Sequence, residues 1–401
     1  YVERVIGQLE RLVTAPLDSN PLLPPAARSD APHQDARWAG QIRAEVADVI
    51  IPSFRRYLEF LREGYLPRAR SAPGVSANPG GAACYRARIH AETTLDLGAD
   101  SIHAIGLADV AATRQEMVAL AQRRFGTSDL DSLLPAMRAD TSLAFATGAQ
   151  VLAAATAAVE RMRGHLPQMF GRLPPEPVEV VPMPAYEAAD APAAYYYPGN
   201  ADGSRPGRYL VNVSSPRSRP RYTVEALAYH EAIPGHHVQI GLAQRLPLPA
   251  FMRYGGTTAF TEGWALYAER LADEQGLYSD DLQRMGMLFF RSWRACRLVV
   301  DTGIHALGWS RDSAIAYLRA NTGLSEADVE NEVDRYIADP GQALAYRLGE
   351  REILDLRTEA KARLGADFDL RAFHDAVLAD GAVSLPILHH NIESWITSQG
   401  R

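Results

Sequence analysis

The sequence predicts a mainly α-helical protein with one small β-sheet, and three observations support this fold class. Apolar residues recur at helical spacing, for example at Ile42, Val46 and Ile50 within segment 40–64. Helical patterns follow one another almost without a break from residue 222 towards the C-terminal end. Before them, segment 173–207 contains eight prolines, and two short β-like runs lie within or beside it.

The predicted elements form an N-terminal helical region, 1–170, and a region with the sheet and the C-terminal helices, 171–401. We expect these regions to make one continuous unit. The first region has predicted helices over 40–64, 105–124 and 142–163 and a long loop at 66–82. The predicted strands are Val178–Val181 and Arg208–Val213. Further helices are predicted over 222–233, 236–245, 258–274, 281–307, 310–319, 325–338, 342–363, 369–379 and 386–397.

Composition and charge limit the class of function. The net charge is −7 and the chain has no dense run of Lys and Arg, so nucleic acid is not an expected partner. No stretch approaches about 18 uninterrupted apolar residues, and we therefore predict no transmembrane helix. Cys84 and Cys296 fit neither a metal-binding cluster nor a disulfide framework, and we expect two buried free thiols.

The segment Tyr229–Gln239, with the sequence YHEAIPGHHVQ, carries the strongest chemical signal. Zinc peptidases often present His-Glu-x-x-His on a helix, where both histidines bind the metal and the glutamate acts as general base. Here His230 and Glu231 are followed by His236 and His237. The spacing therefore predicts a metal site that contains His230 and one of the two later histidines.

A regular helix cannot bring these histidines to one metal ion. His237 would share the direction of His230 but lie about 10 Å further along the axis, and His236 would point about 120° away. Pro234 removes a backbone donor and Gly235 permits unusual dihedral angles, so this pair can return the second histidine to the site. The alternative is a helix end followed by a turn with surface histidines.

Two glutamates follow in the segment TAFTEGWALYAERL. A carboxylate among apolar helical neighbours is costly to bury unless it is paired or binds a cation, so Glu262 is the predicted third ligand. Glu269 lies on nearly the same helical face and could hydrogen-bond a ligand histidine. The alternative for Glu269 is an ordinary surface pair with an arginine.

A polar stripe runs through the apolar segment 291–309. Its members, Arg294, Arg297, Asp301 and His305, fall on one helical face. They could contact substrate or support the metal ligands, and an arginine could bind a peptide carboxylate through two hydrogen bonds. The alternative is a buried ion-pair network that only fixes helix packing.

Four motifs together closely resemble the bacterial proteins grouped as domain of unknown function 885. The motifs are HEAIPGHHVQ, FTEGWALYAERL, RACRLVVDTGIHALGWS and DPGQALAYRLGE, and the similarity extends from about residue 40 to residue 400. That family looks like a distant relative of the helical zinc peptidases of the thimet oligopeptidase and carboxypeptidase Taq groups. Those proteins bind zinc with two histidines and one glutamate.

The resemblance implies a role for each motif residue. It makes His230, His236 and Glu262 the ligands of one Zn²⁺ per chain, with His237 as the alternative to His236, and it makes Glu231 the general base. Many family members look like exported proteins or lipoproteins, so an exported location is favoured over a cytoplasmic one.

The late motif DPGQALAYRLGE has a counterpart in the related zinc peptidases, where a Tyr or His late in the chain donates a hydrogen bond to the developing oxyanion. Tyr346 is the candidate for this donor, with Gln342 and Arg347 nearby. The alternative is that Tyr346 only packs in the core and finds a partner there.

These observations predict a zinc-dependent hydrolase, first of all a peptidase, whose substrate is a peptide or small amide. Glu231 would take a proton from a metal-activated water and give it to the leaving amine. Arg208–Val213 could bind extended peptide as an edge strand. Two alternatives are a non-catalytic helical binding protein with a structural or vestigial metal site, and a metal hydrolase of non-peptide amides or esters.

Overall fold

A computed structural model describes residues 2–24, 27, 36–184, 188 and 191–399, and it confirms the mainly α-helical fold class with a small sheet. The chain folds into two units, Tyr1–Ala72 and Pro73–Arg401, each of which packs mainly against itself. The division predicted between residues 170 and 171 stays a prediction.

The described residues of the first unit form the α-helices α1 (Val2–Thr14), α2 (Ala36–Glu45) and α3 (Ile51–Glu59). The π-helical segment Val46–Ile50 joins α2 to α3, and a second one, Phe60–Tyr65, follows α3. The helix predicted over 40–64 is therefore confirmed as one continuous helical run, with apolar residues such as Val46 and Leu58 buried in its own small core.

The second unit is also built mainly of helices. They are α4 (Gly81–Thr93), α5 (Ala99–Phe125), α6 (Leu130–Ala139), α7 (Gly148–Arg163), α8 (Leu166–Met169), α9 (Val224–Glu231), α10 (His236–Ala243), α11 (Ala250–Tyr254), α12 (Thr258–Glu274), α13 (Asp281–His305), α14 (Arg311–Asn321), α15 (Glu326–Ala338), α16 (Ala345–Leu364), α17 (Leu370–Val377) and α18 (Leu385–Gln399). The short helix α11 was not predicted. The other helices beyond residue 222 begin and end within about three residues of their predicted bounds.

Two close helix pairs position the site: α13 packs against α5, and α12 packs against α16. Facing glycines allow the second approach. A Cβ at Gly263 would lie 2.4 Å from the carbonyl carbon of Gly349, and a Cβ at Gly349 would lie 1.8 Å from the carbonyl oxygen of Ala259. Since no side chain fits between the two backbones, this crossing fixes the position of the neighbouring Glu262.

The β-sheet has three strands, β1 (Glu179–Pro182), β2 (Ala194–Tyr197) and β3 (Arg208–Val211), in the order β1-β3-β2. β3 runs parallel to β1 and antiparallel to β2. The prediction that Arg208–Val213 is an edge strand is wrong, because β3 lies in the centre. The edge strand β2 was missed, although its run of three tyrosines is typical of a strand.

Two further expectations concern membrane spans and cysteines. Within the part of the chain that the structure describes, no helix is both long and apolar enough to cross a membrane. Both cysteines are free thiols. Cys296 is buried as expected, but Cys84 is exposed, so the expectation of two buried thiols is wrong for Cys84.

Candidate metal centre

The helix breaks between His230 and His236. α9 ends at Glu231, Ala232 and Gly235 leave the helical region with ψ values of −102° and −125°, and α10 begins at His236. The Gly235 N–H donates to the Tyr229 carbonyl at 3.0 Å, which folds the chain back over the end of α9. This break removes the distance that a regular helix would put between the two histidines.

Gly235 is required by the tightness of this turn. A Cβ at this position would lie 1.8 Å from the carbonyl oxygen of His230 and 2.6 Å from that of Tyr229. The buried indole of Trp264 on α12 donates to the Pro234 carbonyl at 2.9 Å. The turn is therefore held against the helix that carries Glu262.

His230, His236 and Glu262 form a compact cluster whose candidate ligand atoms all lie within 4.8 Å of one another. Glu262 Oε2 lies 3.4 Å from His230 Nε2 and 3.9 Å from His236 Nε2. Ligands of a tetrahedral zinc ion, each about 2.0–2.2 Å from the metal, lie roughly 3.3–3.5 Å apart. The 3.4 Å pair matches this spacing and the 3.9 Å pair is slightly wider, so these two imidazoles and one carboxylate could together hold a metal ion such as Zn²⁺.

Charge also favours a cation in this cluster. Burial opposes protonation of His230, but its hydrogen bonds to Glu262 and Glu269 outweigh burial and raise its pKa to about 9. Burial opposes ionisation of Glu262 as well, yet His230 and His236 hold its pKa at about 2. A metal ion would compete with the His230 proton for the same nitrogen.

Glu269 supports His230 from behind. His230 Nδ1–H donates to Glu269 Oε1 at 2.8 Å, and both side chains are almost fully buried. This bond fixes the tautomer that leaves Nε2 facing Glu262. Glu269 therefore does not form the surface pair with an arginine that was the alternative interpretation.

His237 points away from the cluster. Its Nε2–H donates to the Glu176 carbonyl at 3.0 Å, and its Nδ1 accepts from the Tyr196 hydroxyl at 3.0 Å. Because both ring nitrogens are engaged, His236 and not His237 stands with the other candidate ligands.

Glu231 lies beside the edge strand of the sheet. The Tyr196 N–H of β2 donates to Glu231 Oε2 at 3.0 Å. Burial raises the pKa of Glu231 to about 7. Sequence reasoning missed Tyr196, which contacts both Glu231 and His237, because β2 itself was missed.

The polar stripe on α13 divides between two surroundings. Arg294 lies near the cluster, with Nη2 4.0 Å from Glu269 Oε1. The other three members bind residues elsewhere: Arg297 to Tyr336 and Glu332, Asp301 to Tyr85 and Gly341, and His305 to Val75 and Tyr336. These three sets of contacts are typical of packing between helices, whereas the nearest carboxylate to Arg294 is Glu269, which also binds the candidate ligand His230.

Tyr346 is half-buried at the start of α16. Its ring lies 4.3 Å from the Arg297 guanidinium, and its hydroxyl accepts from Gln342 Nε2 at 3.4 Å. Gln342 in turn accepts from Arg335.

Arg347 is buried in ion pairs with Asp109, at 2.7 Å, and with Glu350. Gln342 and Arg347 therefore hold the helices together, and the role of Tyr346 as an oxyanion donor stays a prediction.

A cavity of about 700 Å³ opens beside Glu231. Its wall includes Glu231, Arg294, Trp293 and, from the sheet, Ala194 and Tyr209. This volume is in the range of small-molecule and peptide sites, about 300–1,000 Å³. The candidate base and the nearby arginine thus share one cavity.

A second His/Glu group, Glu359, His389 and Glu393, lies on the surface. His389 Nδ1 binds Glu352 at 2.8 Å, and the side chain of His389 is 47% exposed. Exposed groups of this kind are common without a metal ion. Because this exposed group could bind zinc non-specifically, it has to be controlled for when the metal content of the protein is measured.

The fold and the site define a class: helical proteins in which a broken helix and a neighbouring helix bring two histidines and a glutamate together. Within that class, the chain belongs to the family described as "Bacterial protein of unknown function (DUF885)", whose model matches residues 1–392. The resemblance to that family is thereby confirmed. A comparison with curated proteins gives no significant match.

Two solved structures are similar to this chain. One, from Colwellia psychrerythraea and described as "the putative lipoprotein", has 33% identity and a TM-score of 0.91, covering 99% of this chain and 70% of that one. The other, from Shewanella oneidensis, is described as "a putative lipoprotein of unknown function". It has 21% identity and a TM-score of 0.73, covering 97% of this chain and 72% of that one, and shows the fold alone.

Proposed function

We propose that this chain is a zinc-dependent hydrolase that cleaves peptide bonds, with His230, His236 and Glu262 as the metal ligands. The observation that carries the proposal is the helix break at 232–235. It brings two histidines from different helices to a half-buried glutamate, Glu262, and it leaves Glu231 on the wall of a cavity. Three protein ligands leave one position open, as catalytic zinc sites require.

The metal, when bound, supplies Lewis acidity for a water molecule and a peptide carbonyl. Glu231 takes a proton from the attacking water as the new C–O bond forms, and it gives that proton to the amine nitrogen as the C–N bond breaks. The Tyr196 N–H holds the Glu231 carboxylate in place through Oε2. Glu269 holds His230 in one orientation through its 2.8 Å hydrogen bond.

The edge strand β2 supports a peptide as the substrate. Ala193 O accepts from the Asn212 N–H of the neighbouring chain segment at 3.0 Å, so the main-chain groups of Ala194 and Tyr196 point away from β3. Tyr196 already directs its N–H to Glu231. An extended peptide that adds to this edge would run beside the candidate base.

Metal content tests the ligand set. Purified protein incubated with Zn²⁺ should hold about one tightly bound zinc per chain by elemental analysis, and His230→Ala and Glu262→Ala should both lose it. His389→Ala is the matched control, because it removes only the exposed group. Loss of zinc only in His389→Ala would contradict the proposed centre.

Hydrolysis tests the role of Glu231. Glu231→Gln keeps the shape of the side chain and should keep the zinc, but it should reduce peptide cleavage by about 10²–10⁴-fold. Mass spectrometry of a defined peptide mixture detects the products, and ester substrates run in parallel separate a peptidase from a hydrolase of other acyl compounds. Full activity of Glu231→Gln would overturn the mechanism.

We also propose that the protein is exported. The support is the similarity over 99% of this chain to the Colwellia protein, which is described as a "putative lipoprotein". Fractionation of cells that make the protein, followed by immunoblotting, tests this location. Recovery only in the cytoplasmic fraction would contradict it.

A further inference from the structure

Arg294 is a buried arginine with unusually few partners. Its side chain is on the wall of the cavity and the residue is 5% exposed, yet Nε and Nη1 have no hydrogen-bond partner among the residues that the structure describes. The nearest carboxylate, Glu269, is 4.0 Å from Nη2 and already accepts the His230 N–H. A buried cation without a close anion is unfavourable, so an anionic ligand would complete this site.

Other buried arginines of the same unit have carboxylates within hydrogen-bond distance. Arg297 lies one turn further along α13 and meets Glu332 at 3.1 Å. Arg347 meets Asp109 at 2.7 Å. The contrast indicates that the surroundings of Arg294 are not those of a completed structural ion pair.

The Arg294 guanidinium is also held in place by aromatic rings. It lies 4.3 Å from the centre of the Trp293 ring and 4.8 Å from that of Phe290. These contacts stabilise the charge and restrict its orientation. A planar, oriented guanidinium matches the two oxygens of a carboxylate.

The Arg294 guanidinium lies close to the metal cluster. Glu269 bridges Arg294 and His230, with a distance of 4.0 Å on one side and 2.8 Å on the other. Arg294 Nη2 therefore lies at most about 7 Å from His230 Nδ1, so a carboxylate bound at Arg294 would hold the end of its own chain close to the cluster.

We infer that Arg294 binds the free α-carboxylate of a peptide, so that the enzyme cleaves close to the C-terminus of its substrate. This inference rests on the proposed peptidase function and names its substrate class. The reaction is hydrolysis as described above, and it releases a free amino acid or a short C-terminal peptide.

Binding can be measured apart from catalysis in the Glu231→Gln protein loaded with zinc. The probes are an N-acetylated tetrapeptide with a free C-terminus, the same peptide as its C-terminal amide, and an amide that carries an aspartate side chain. Calorimetry should show that the free acid binds at least about tenfold more tightly than the plain amide. The amide cannot form the charge-assisted bidentate pair with Arg294, and this difference in affinity is the one expected from losing that pair.

Substitution of Arg294 should remove this preference. In Arg294→Met the acid-to-amide ratio should fall to about one, and in Arg294→Lys, which keeps the charge, it should be intermediate. Arg284→Met is the matched control, because Arg284 lies on the same helix and pairs with Asp273 outside the cavity wall. Its ratio should remain as in the parent protein. Circular dichroism identifies any variant that fails to fold. If Arg294→Met is one of them, the acid-to-amide ratio of Arg294→Lys tests the role of Arg294 instead.

The outcomes separate the two proposals. Equal binding of acid and amide, a ratio that persists in Arg294→Met, or an aspartate side chain that replaces the free terminus would overturn the carboxylate site. Cleavage of internal bonds without preference for a free terminus would support the peptidase but overturn the role of Arg294. A preserved acid-to-amide ratio with no hydrolysis by the wild type would keep the carboxylate site and overturn the proposed reaction.

Discussion

The substitution Gly235→Ala tests the turn that brings the two histidines together. The added Cβ would lie 1.8 Å from the His230 carbonyl oxygen and 2.6 Å from the Tyr229 carbonyl oxygen. Since side-chain Cβ atoms essentially never approach closer than 3.0 Å, the backbone must shift by about 1 Å. Both obstructing atoms belong to the main chain of α9, so rotation of a side chain cannot relieve the contact.

The size of the effect follows from that shift. Overpacking in a rigid core reduces the free energy of unfolding by about 1–3 kcal/mol, and a contact with backbone should lie at or above the upper end. The metal should be affected as well, because zinc–ligand distances tolerate only about 0.2 Å. We therefore expect a loss of about 3 kcal/mol in stability together with most of the bound zinc.

Urea unfolding in the presence of a chelator measures the stability without a contribution from bound metal. Elemental analysis of separately zinc-loaded protein measures the second effect. Gly164→Ala is the matched control, because Gly164 has helical backbone angles and its Cβ would meet only Arg161 O at 3.7 Å. An unfolding free energy within about 0.5 kcal/mol of wild type and an unchanged zinc content for Gly235→Ala would refute this description of the turn.

Three further substitutions test other side chains. Glu269→Gln should weaken zinc binding about 10–100-fold in competition with a chromophoric chelator, while Glu274→Gln on the same helix should not, and equal affinities would count against the supporting role. His237→Gln should keep its zinc, since both ring nitrogens bind elsewhere, and loss of metal would make His237 a ligand. Burial lowers the pKa of His374 from 6.5 to about 3, so its contribution to stability is complete above pH 6.5 and is lost as the pH falls towards 3. Between about pH 7.5 and about pH 5, wild type should lose about 2 kcal/mol more than His374→Gln in urea unfolding, and parallel pH profiles would contradict this.

Residues close together in the chain were predictable because their signals are local. Except for the short helix α11, the helical period predicted the helices beyond residue 222 to within about three residues. The Pro234-Gly235 pair indicated a break between two histidines, because proline removes a backbone donor and glycine permits close backbone approach. The apolar neighbours of Glu262 made its carboxylate a candidate for a buried partner, and the structure places it 3.4 Å from His230.

The strand order of the sheet and the partners of the polar stripe could not be predicted from such local signals. β3 was assigned to the edge because nothing in its own sequence shows that β2 pairs beside it. Arg294 and Arg297 lie one turn apart on the same helical face, yet only Arg297 meets a carboxylate within hydrogen-bond distance, because Glu332 reaches it from α15. Helical spacing gives the direction of a side chain but not the identity of the helix that faces it.

The sequence by itself determined the chemical types at the centre and the local backbone that allows them to meet: two histidines around a Pro-Gly break, a neighbouring glutamate and a later carboxylate among apolar residues. Only the tertiary structure decided which histidine joins the cluster. The His237 ring is turned away by Tyr196 and the Glu176 carbonyl, residues about 40 and 60 positions earlier in the chain. The orientation of an imidazole depends on the hydrogen-bond partners that the fold brings to its two nitrogens, and those partners have no fixed spacing in sequence.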